Sequence, residues 1–410
     1  MTFAENLEKY AELAVRIGCN IQPGQSLWIN GPIDSADLIR LITRKAYEAG
    51  AKNVQVEWYD QAVNRLKYDL APEEAFGEYP AWRARALEQE AEKNGAYLYI
   101  ESNDPELMKG VDPKRLSAFS KAAGAELVKW REYMGSYRMT WCIIGAPSVG
   151  WARKVYPDKE DSEAVQALWE AIFRATRADQ DDPVALWREH NAKLRAKREQ
   201  LTAKQYRKLH YRAPGTELTV ALPERHLWRG GSVANTRAGF EFNPNVPTEE
   251  VFVSPHRDGT NGVVHSTKPL SYQGSLIENF SLTFENGRVV DFQAEKGYEN
   301  LKNLVELDEG SHYLGEIALV PHDSPISNSK QLFFNTLYDE NASNHLALGR
   351  AFPTTLEGGE DLSPEEQLAA GLNTSLTHVD FMIGSAEMDI DGELADGTIE
   401  PIFRKGNWAF

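Results

Sequence analysis

The sequence predicts two domains of different class: an α/β N-terminal domain with a small parallel sheet, and a larger, mainly β (α+β) C-terminal domain. Three observations carry this expectation. A chain of 410 residues exceeds what one hydrophobic core usually organises. Helix and strand periodicities alternate through the N-terminal quarter, as in a parallel α/β layer. From about Glu217 the texture changes to short alternating runs broken by turn residues. The expected boundaries are 1–110 and 111–410, with the last strand given two possible places, in the C-terminal domain or returned to the N-terminal one.

The elements follow in chain order. Leu7, Tyr10, Leu13, Ala14 and Ile17 recur at three- and four-residue spacing and open the chain with an amphipathic helix. "IQPGQSLWING" is a turn leading into a short apolar strand. Leu38, Leu41, Ile42 and Ala46 mark a second helix, Gly50 ends it, and "VQVEW" alternates as a strand, which completes a β-α-β unit. "AYLYIES" adds a further strand. The βα turn "NGPIDSAD" has one glycine where a dinucleotide fingerprint needs three, and the chain has no P-loop, so nicotinamide, flavin and P-loop nucleotide sites are excluded.

A helical stretch from Pro113 to about Tyr137, the strand "MTWCIIGAP" and charged helices between about Ser162 and Leu209 form the middle of the chain. "REHNAKLRAKREQLTAKQYRKLH" alternates in sign and reads as a solvent-facing helix. Beyond it, "TELTVAL", "EEVFVSP", "GVVHSTKPLSY", "SLIENFSLTFENGRVVDFQAE" and "IALVP" read as strands. Asn286-Gly287 marks a hairpin between two of them.

Bulk properties narrow the function classes. With 42% hydrophobic and 26% charged residues the chain is an ordinary globular one with apolar material for a sizeable core. Its formal net charge of −17 sets up a field that repels nucleic-acid backbones and anionic membranes, so neither is expected as a partner. The N-terminal "MTFAENLEKYAELAVRIGCN" has no apolar leader core, and no run approaches the ~20 apolar residues of a membrane span. Cys19 and Cys142 are too few for a disulfide scaffold or a thiolate metal knot. A cytoplasmic protein with reduced thiols is expected.

Seven of the nine histidines lie at or beyond His226, and the informative ones stand beside carboxylates in apolar surroundings. "NVPTEEVFVSPH" places Glu249 and Glu250 before a Val-Phe-Val strand. "HYLGEIALVPHD" puts Glu316 at the mouth of the strand Ile317 to Val320. "LYDENASNHLALGRAF" runs Asp339, Glu340 and His345 into an apolar, helix-like stretch. "NTSLTHVDFMIG" supplies His378 and Asp380, which share one face if that segment is a strand.

A carboxylate entering a buried strand costs several kcal/mol unless paired, and none of these segments has a Lys or Arg beside its acids. Divalent cations between Glu250, Glu316, His345, His378 and Asp380 would make all five tolerable. Imidazole with carboxylate suits zinc, manganese or cobalt. More carboxylates than one ion requires point to two ions with a bridging carboxylate. Polar strand ends and helix caps remain the bland alternative at this level.

At these four segments the sequence resembles the M29 family of metallo-aminopeptidases, often called the aminopeptidase T or thermophilic aminopeptidase family. "NVPTEEVF", "GEIALVP", "DENASNHLALG" and "NTSLTHVDFMIG" match in order and approximate spacing, and "YAELAVRIGCNIQPGQSLWI" looks like the family's opening, so the resemblance spans essentially the full chain. It implies that Glu250, Glu316, His345, His378 and Asp380 bind two divalent ions, zinc or cobalt, with manganese or magnesium as alternatives, and Glu316 bridging. It also implies hydrolysis of N-terminal residues from peptides with a free N-terminus by metal-activated water, a homodimer, and an α/β N-terminal domain before a catalytic one. Glu249 and Glu340 are the candidate general bases; Glu249 shares the pocket with Glu250 only where the backbone is irregular. Two departures stand out: Phe352 replaces the tyrosine common seven residues after the histidine, and Asn344 replaces a common cysteine. Two other readings are a mononuclear non-haem iron dioxygenase of related fold and a non-catalytic metal-stabilised binding protein.

Overall fold

The computed structural model describes residues 1–272 and 275–410. The chain divides into two compact units, residues 1–189 with 232–247, and residues 190–231 with 248–410. The first unit therefore extends well past the expected boundary at 110. Composition alone missed this, because the helices after residue 110 lead to one more parallel strand of the same sheet.

That sheet contains β1 (Ser26–Pro32), β2 (Asn53–Tyr59), β3 (Ala96–Glu101), β4 (Thr140–Gly145) and the short β5 (Asn245–Val246), in the order β2-β1-β3-β4-β5, all parallel. The opening helix Phe3–Leu13 begins with a capping box, the Thr2 hydroxyl accepting from Glu5 N and the Glu5 carboxylate from Thr2 N. Leu38, Ile39, Ile42 and Ala46 are the buried stripe of the helix Ala36–Glu48. Cys19 and Cys142 are free and buried in this unit, and burial raises both thiols.

The second unit is built on two antiparallel sheets. The larger runs Leu270–Tyr272, Ser275–Glu285, Thr260–His265, Thr216–Ala221, Lys208–Ala213, Asp389–Glu393, Ile399–Arg404, Asn407–Trp408, with Arg288–Lys296 also paired to Ser275–Glu285. The last strands thus stay in this unit, and the alternative of a return to the first is corrected: Asp389–Glu393 pairs with Lys208–Ala213 and draws the C-terminal hairpin onto that edge. Asn286 (φ 48°) and Gly287 (φ 82°) form the anticipated tight turn, both in the left-handed region that a type I′ turn requires.

The smaller sheet is β6 (Val251–Val253), β7 (Leu314–Leu319), β8 (His345–Gly349) and β9 (His378–Met382), paired in that order. The stretch from His345, which reads as helix-like in sequence, is a strand. It is buried on both faces, so the polar alternation that marks a half-exposed strand is missing. Glu316 likewise lies within β7 rather than at its mouth.

Both sheets contribute to one core: Leu209, Tyr211, Leu218 and Val220 from the larger, Val251, Ile317, Leu346, Leu348 and Phe381 from the smaller. The charged helix Pro183–Lys204 adds Leu194 and Leu201 to that core, so it is solvent-facing on one side only. Among the described residues no helix is long and apolar enough to cross a membrane.

Candidate metal centre

Strand alternation sorts β8 into two faces: Leu346 and Leu348 enter the core, and His345 and Ala347 face the other way. Register then aligns the donors. Ala347 is the partner of Glu316 on β7 and of Asp380 on β9, so a methyl group separates two carboxylates in one row across three strands. His345 pairs with Ala318 and Met382 one row along, and His378 with Gly349 on the other side.

Beside Glu316 the register of β7 shifts at Gly315. A side chain at Gly315 would place its Cβ 2.3 Å from the Arg350 carbonyl oxygen, so only glycine admits that carbonyl here. The same oxygen accepts from His378 Nδ1 at 2.7 Å. The bulge therefore fixes the imidazole with Nε2 turned inward, 3.0 Å from Glu316 Oε2 and 3.5 Å from Asp380 Oδ1. His345 is held through Nδ1 against the Ser343 carbonyl at 3.1 Å, with Nε2 3.2 Å from Glu250 Oε2.

One donor atom from each of Glu250, Glu316 and His345 lies within 4.8 Å of the others, and the same holds for Glu316, His378 and Asp380. Glu316 belongs to both groups. Among the described residues no Lys or Arg forms an ion pair with Glu250, Glu316, Glu340 or Asp380, and the buried Asp380 Oδ1 accepts no hydrogen bond. Carboxylates this little exposed, with imidazoles as their only ion-pair partners, fit divalent cations well.

The electrostatics show the strain of the cluster without cations. Burial pushes Glu316 up to about 7, helped by the charges of Asp380 and Glu250 and opposed by His378. Burial also raises Glu340 well above the carboxylate range, as do Asp380 and Glu250. For His345 burial acts downward, but the hydrogen bond and charge of Glu250, with Asp380 and Glu316, reverse it and carry the imidazole to about 10. His378 is raised in the same way by Asp380 and Glu316. Burial acts upward on Asp380, yet His378 holds it below its usual value. Protons on the imidazoles occupy the role that cations would take.

The remaining sequence candidates are placed as follows. Glu340 is half-buried, within the electrostatic reach of four of the five donors. Glu249 and Glu250 precede β6 in irregular backbone, and Glu249 Oε2 lies 3.5 Å from His190 Nε2, outside both donor groups. Asn341 links the two acids: its Oδ1 accepts from Glu249 N at 2.7 Å, and its amide nitrogen lies 3.4 Å from Glu340 Oε1. Phe352 packs on the site, its ring centroid 4.7 Å from that of His378. Asn344 accepts from Val320 N at 2.7 Å and so ties the end of β7 to the start of β8. Sequence reasoning missed His190, Asn341 and the Arg350 carbonyl. Adjacency to Glu340 was the only signal that could have found Asn341; the other two carried none.

The family described as thermophilic metalloprotease (M29) matches residues 3–408. The chain belongs to the M29 metalloprotease family. M29 members are hydrolases of the peptide bond. The chain is 55% identical over its full length to aminopeptidase AmpS of Bacillus subtilis (strain 168), with all of both chains covered. Aminopeptidase 2 of Geobacillus stearothermophilus is 54% identical, covering 99% of this chain and 98% of that one. In structure, the M29 chain superposes on wild-type AmpT from Thermus thermophilus with a TM-score of 0.94 at 42% identity, covering 100% of each.

Proposed function

We propose that this metalloprotease is an aminopeptidase with a dinuclear centre: Glu250 and His345 on one ion, His378 and Asp380 on the other, and Glu316 between them. The observation that carries this reading is the membership of Glu316 in both donor groups. The aminopeptidases among its relatives support peptides with a free N-terminus as substrates. The donors are imidazole and carboxylate without thiolate, which suits Zn2+ or Co2+, with Mn2+ or Mg2+ as alternatives. A cytoplasmic homodimer is part of the same proposal.

Bound ions supply a water acidic enough to attack near neutral pH and polarise the scissile carbonyl. The protein's share is proton handling and orientation. Glu340, half-buried and within electrostatic reach of the donors, is the better-placed group to take a proton from the nucleophile and return it to the leaving amine. Glu249, turned toward His190, serves by orienting that wall of the site. The excess of carboxylates attracts the substrate α-ammonium and so selects chain ends. Phe352 offers no hydroxyl to the developing oxyanion; one missing donor of that kind typically costs about 2.7 to 4 kcal/mol.

Chelator-stripped protein reconstituted with Zn2+, Co2+, Mn2+ or Fe2+ tests the reading, assayed on Leu-p-nitroanilide and on free and N-acetylated peptides. Two ions per chain and cleavage of free N-termini only are expected. Metal bound without turnover would favour a non-catalytic binding protein, and a single ferrous ion with oxygen uptake a dioxygenase.

A further inference from the structure

We propose that Asp308, acting with Ser375 and Asn373, is a positioning residue for the ion held by Glu316, His378 and Asp380, and not for the ion held by Glu250 and His345. The inference rests on the dinuclear reading above. It begins with a carboxylate that the chemistry does not use. Asp308 Oδ1 accepts from Ser311 N at 2.7 Å and from the Ser375 hydroxyl at 2.9 Å. Its Oδ2 accepts from the same hydroxyl at 3.1 Å and from Leu376 N at 2.6 Å. One side chain thus ties the loop before β7, the strand of Glu316, to the loop before β9, the strand of His378 and Asp380.

Two further features lock these loops together. Asn373 Nδ2 donates to the Gly310 carbonyl at 2.7 Å and to the Gly349 carbonyl at 2.6 Å. A Cβ on Gly310 would lie 1.8 Å from the Thr374 carbonyl oxygen, so the two backbones approach as closely as glycine permits. The chain of bonds continues to the metal ligand. Arg350 N donates to the Thr377 carbonyl at 2.8 Å, Ala351 N to the Asn373 carbonyl at 2.9 Å, and the Arg350 carbonyl accepts from His378 Nδ1.

Asp308 therefore holds the loop that holds the carbonyl that aims His378 Nε2. His345 is aimed by Ser343 on its own segment, and among the described residues no hydrogen bond joins His345 or Glu250 to either loop. Partners that orient a metal-binding histidine at one remove typically contribute about 10- to 100-fold in metal affinity.

The test is competitive metal titration of the full chain with a chromophoric chelator, using Zn2+, for wild type, Asp308→Ala, Asp308→Asn and Ser375→Ala. Far-UV circular dichroism and melting curves first establish that each variant is folded. Wild type should yield two dissociation constants; one constant would overturn the dinuclear reading itself. In Asp308→Ala one constant should weaken by about 10- to 100-fold and the other stay within about twofold. Asp308→Asn, which keeps one acceptor oxygen, should recover part of the loss, and Ser375→Ala should show a smaller loss of the same ion. In a His378→Ala background the surviving constant should not respond to Asp308→Ala. Two constants unchanged, or both weakened alike in a folded variant, would overturn the positioning role.

Discussion

The two donor groups that share Glu316 are held in different ways. His345 is 1% exposed and is aimed by a carbonyl two residues away, on the segment that leads directly into β8. His378 is 16% exposed and is aimed by a carbonyl from another segment, set by a bulge and a braced loop. The same ligand chemistry thus has a half set by its own segment, around His345, and a half set by braced loops, around His378. The loop-braced half is the one that Phe352 covers.

Breaking the shared member should have the largest effect. Glu316→Gln is expected to lower metal content below one ion per chain and to remove several kcal/mol of transition-state stabilisation, about 10³ in rate or more, read as kcat/KM with metal analysis. Retention of two ions would show that Glu316 does not bridge. Next in size, Glu340→Gln should lower kcat by about 10² to 10⁴ with both ions retained; a larger loss from Glu249→Gln would transfer the base role to Glu249.

The loop-braced half is tested by Phe352→Tyr. A hydroxyl beside His378 should raise turnover by about 10²- to 10³-fold, with metal affinity unchanged. An unaltered kcat would mean that no oxyanion donor is missing there.

The smallest effect concerns the His345 half without metal. The folded-state value of His345 lies above its ordinary 6.5, at about 10. Its stabilising protonation is therefore complete below 6.5 and disappears as pH rises through about 10, and His378, raised in the same direction, adds to the trend. Urea unfolding in chelator should show wild type losing its advantage over His345→Ala across that window, by a few kcal/mol at most. A gap that is constant with pH would contradict the ion-pair account of the metal-free site.

Much of this was legible in sequence, for identifiable reasons. The α/β beginning was visible because Leu38, Ile42 and Ala46 keep helical spacing around alternating strands. The donors were visible because acids and imidazoles without neighbouring cations are costly in apolar segments. β8 was misread because a strand buried on both faces loses its alternation. The unit boundary was missed because residues 232–247 return to the first sheet through β5, a two-residue strand with no periodicity to detect. Asp308 reads locally as an ordinary turn residue bonded to Ser311 three positions on, and the bonds that matter, to Ser375 and Leu376, lie 67 and 68 residues away; those of the Asn373 amide lie 24 or more away.

The donors lie on segments between residues 250 and 380, and none of the four strands brings a complete set. Two long connections must close before either donor trio meets, and closing such loops is the slow, entropically opposed part of forming a sheet. A zinc finger captures its ion locally and folds around it. Here neither donor trio exists until β8 has docked beside β7, and the one that contains His378 and Asp380 also waits for β9, so metal loading follows the assembly of the sheet instead of seeding it.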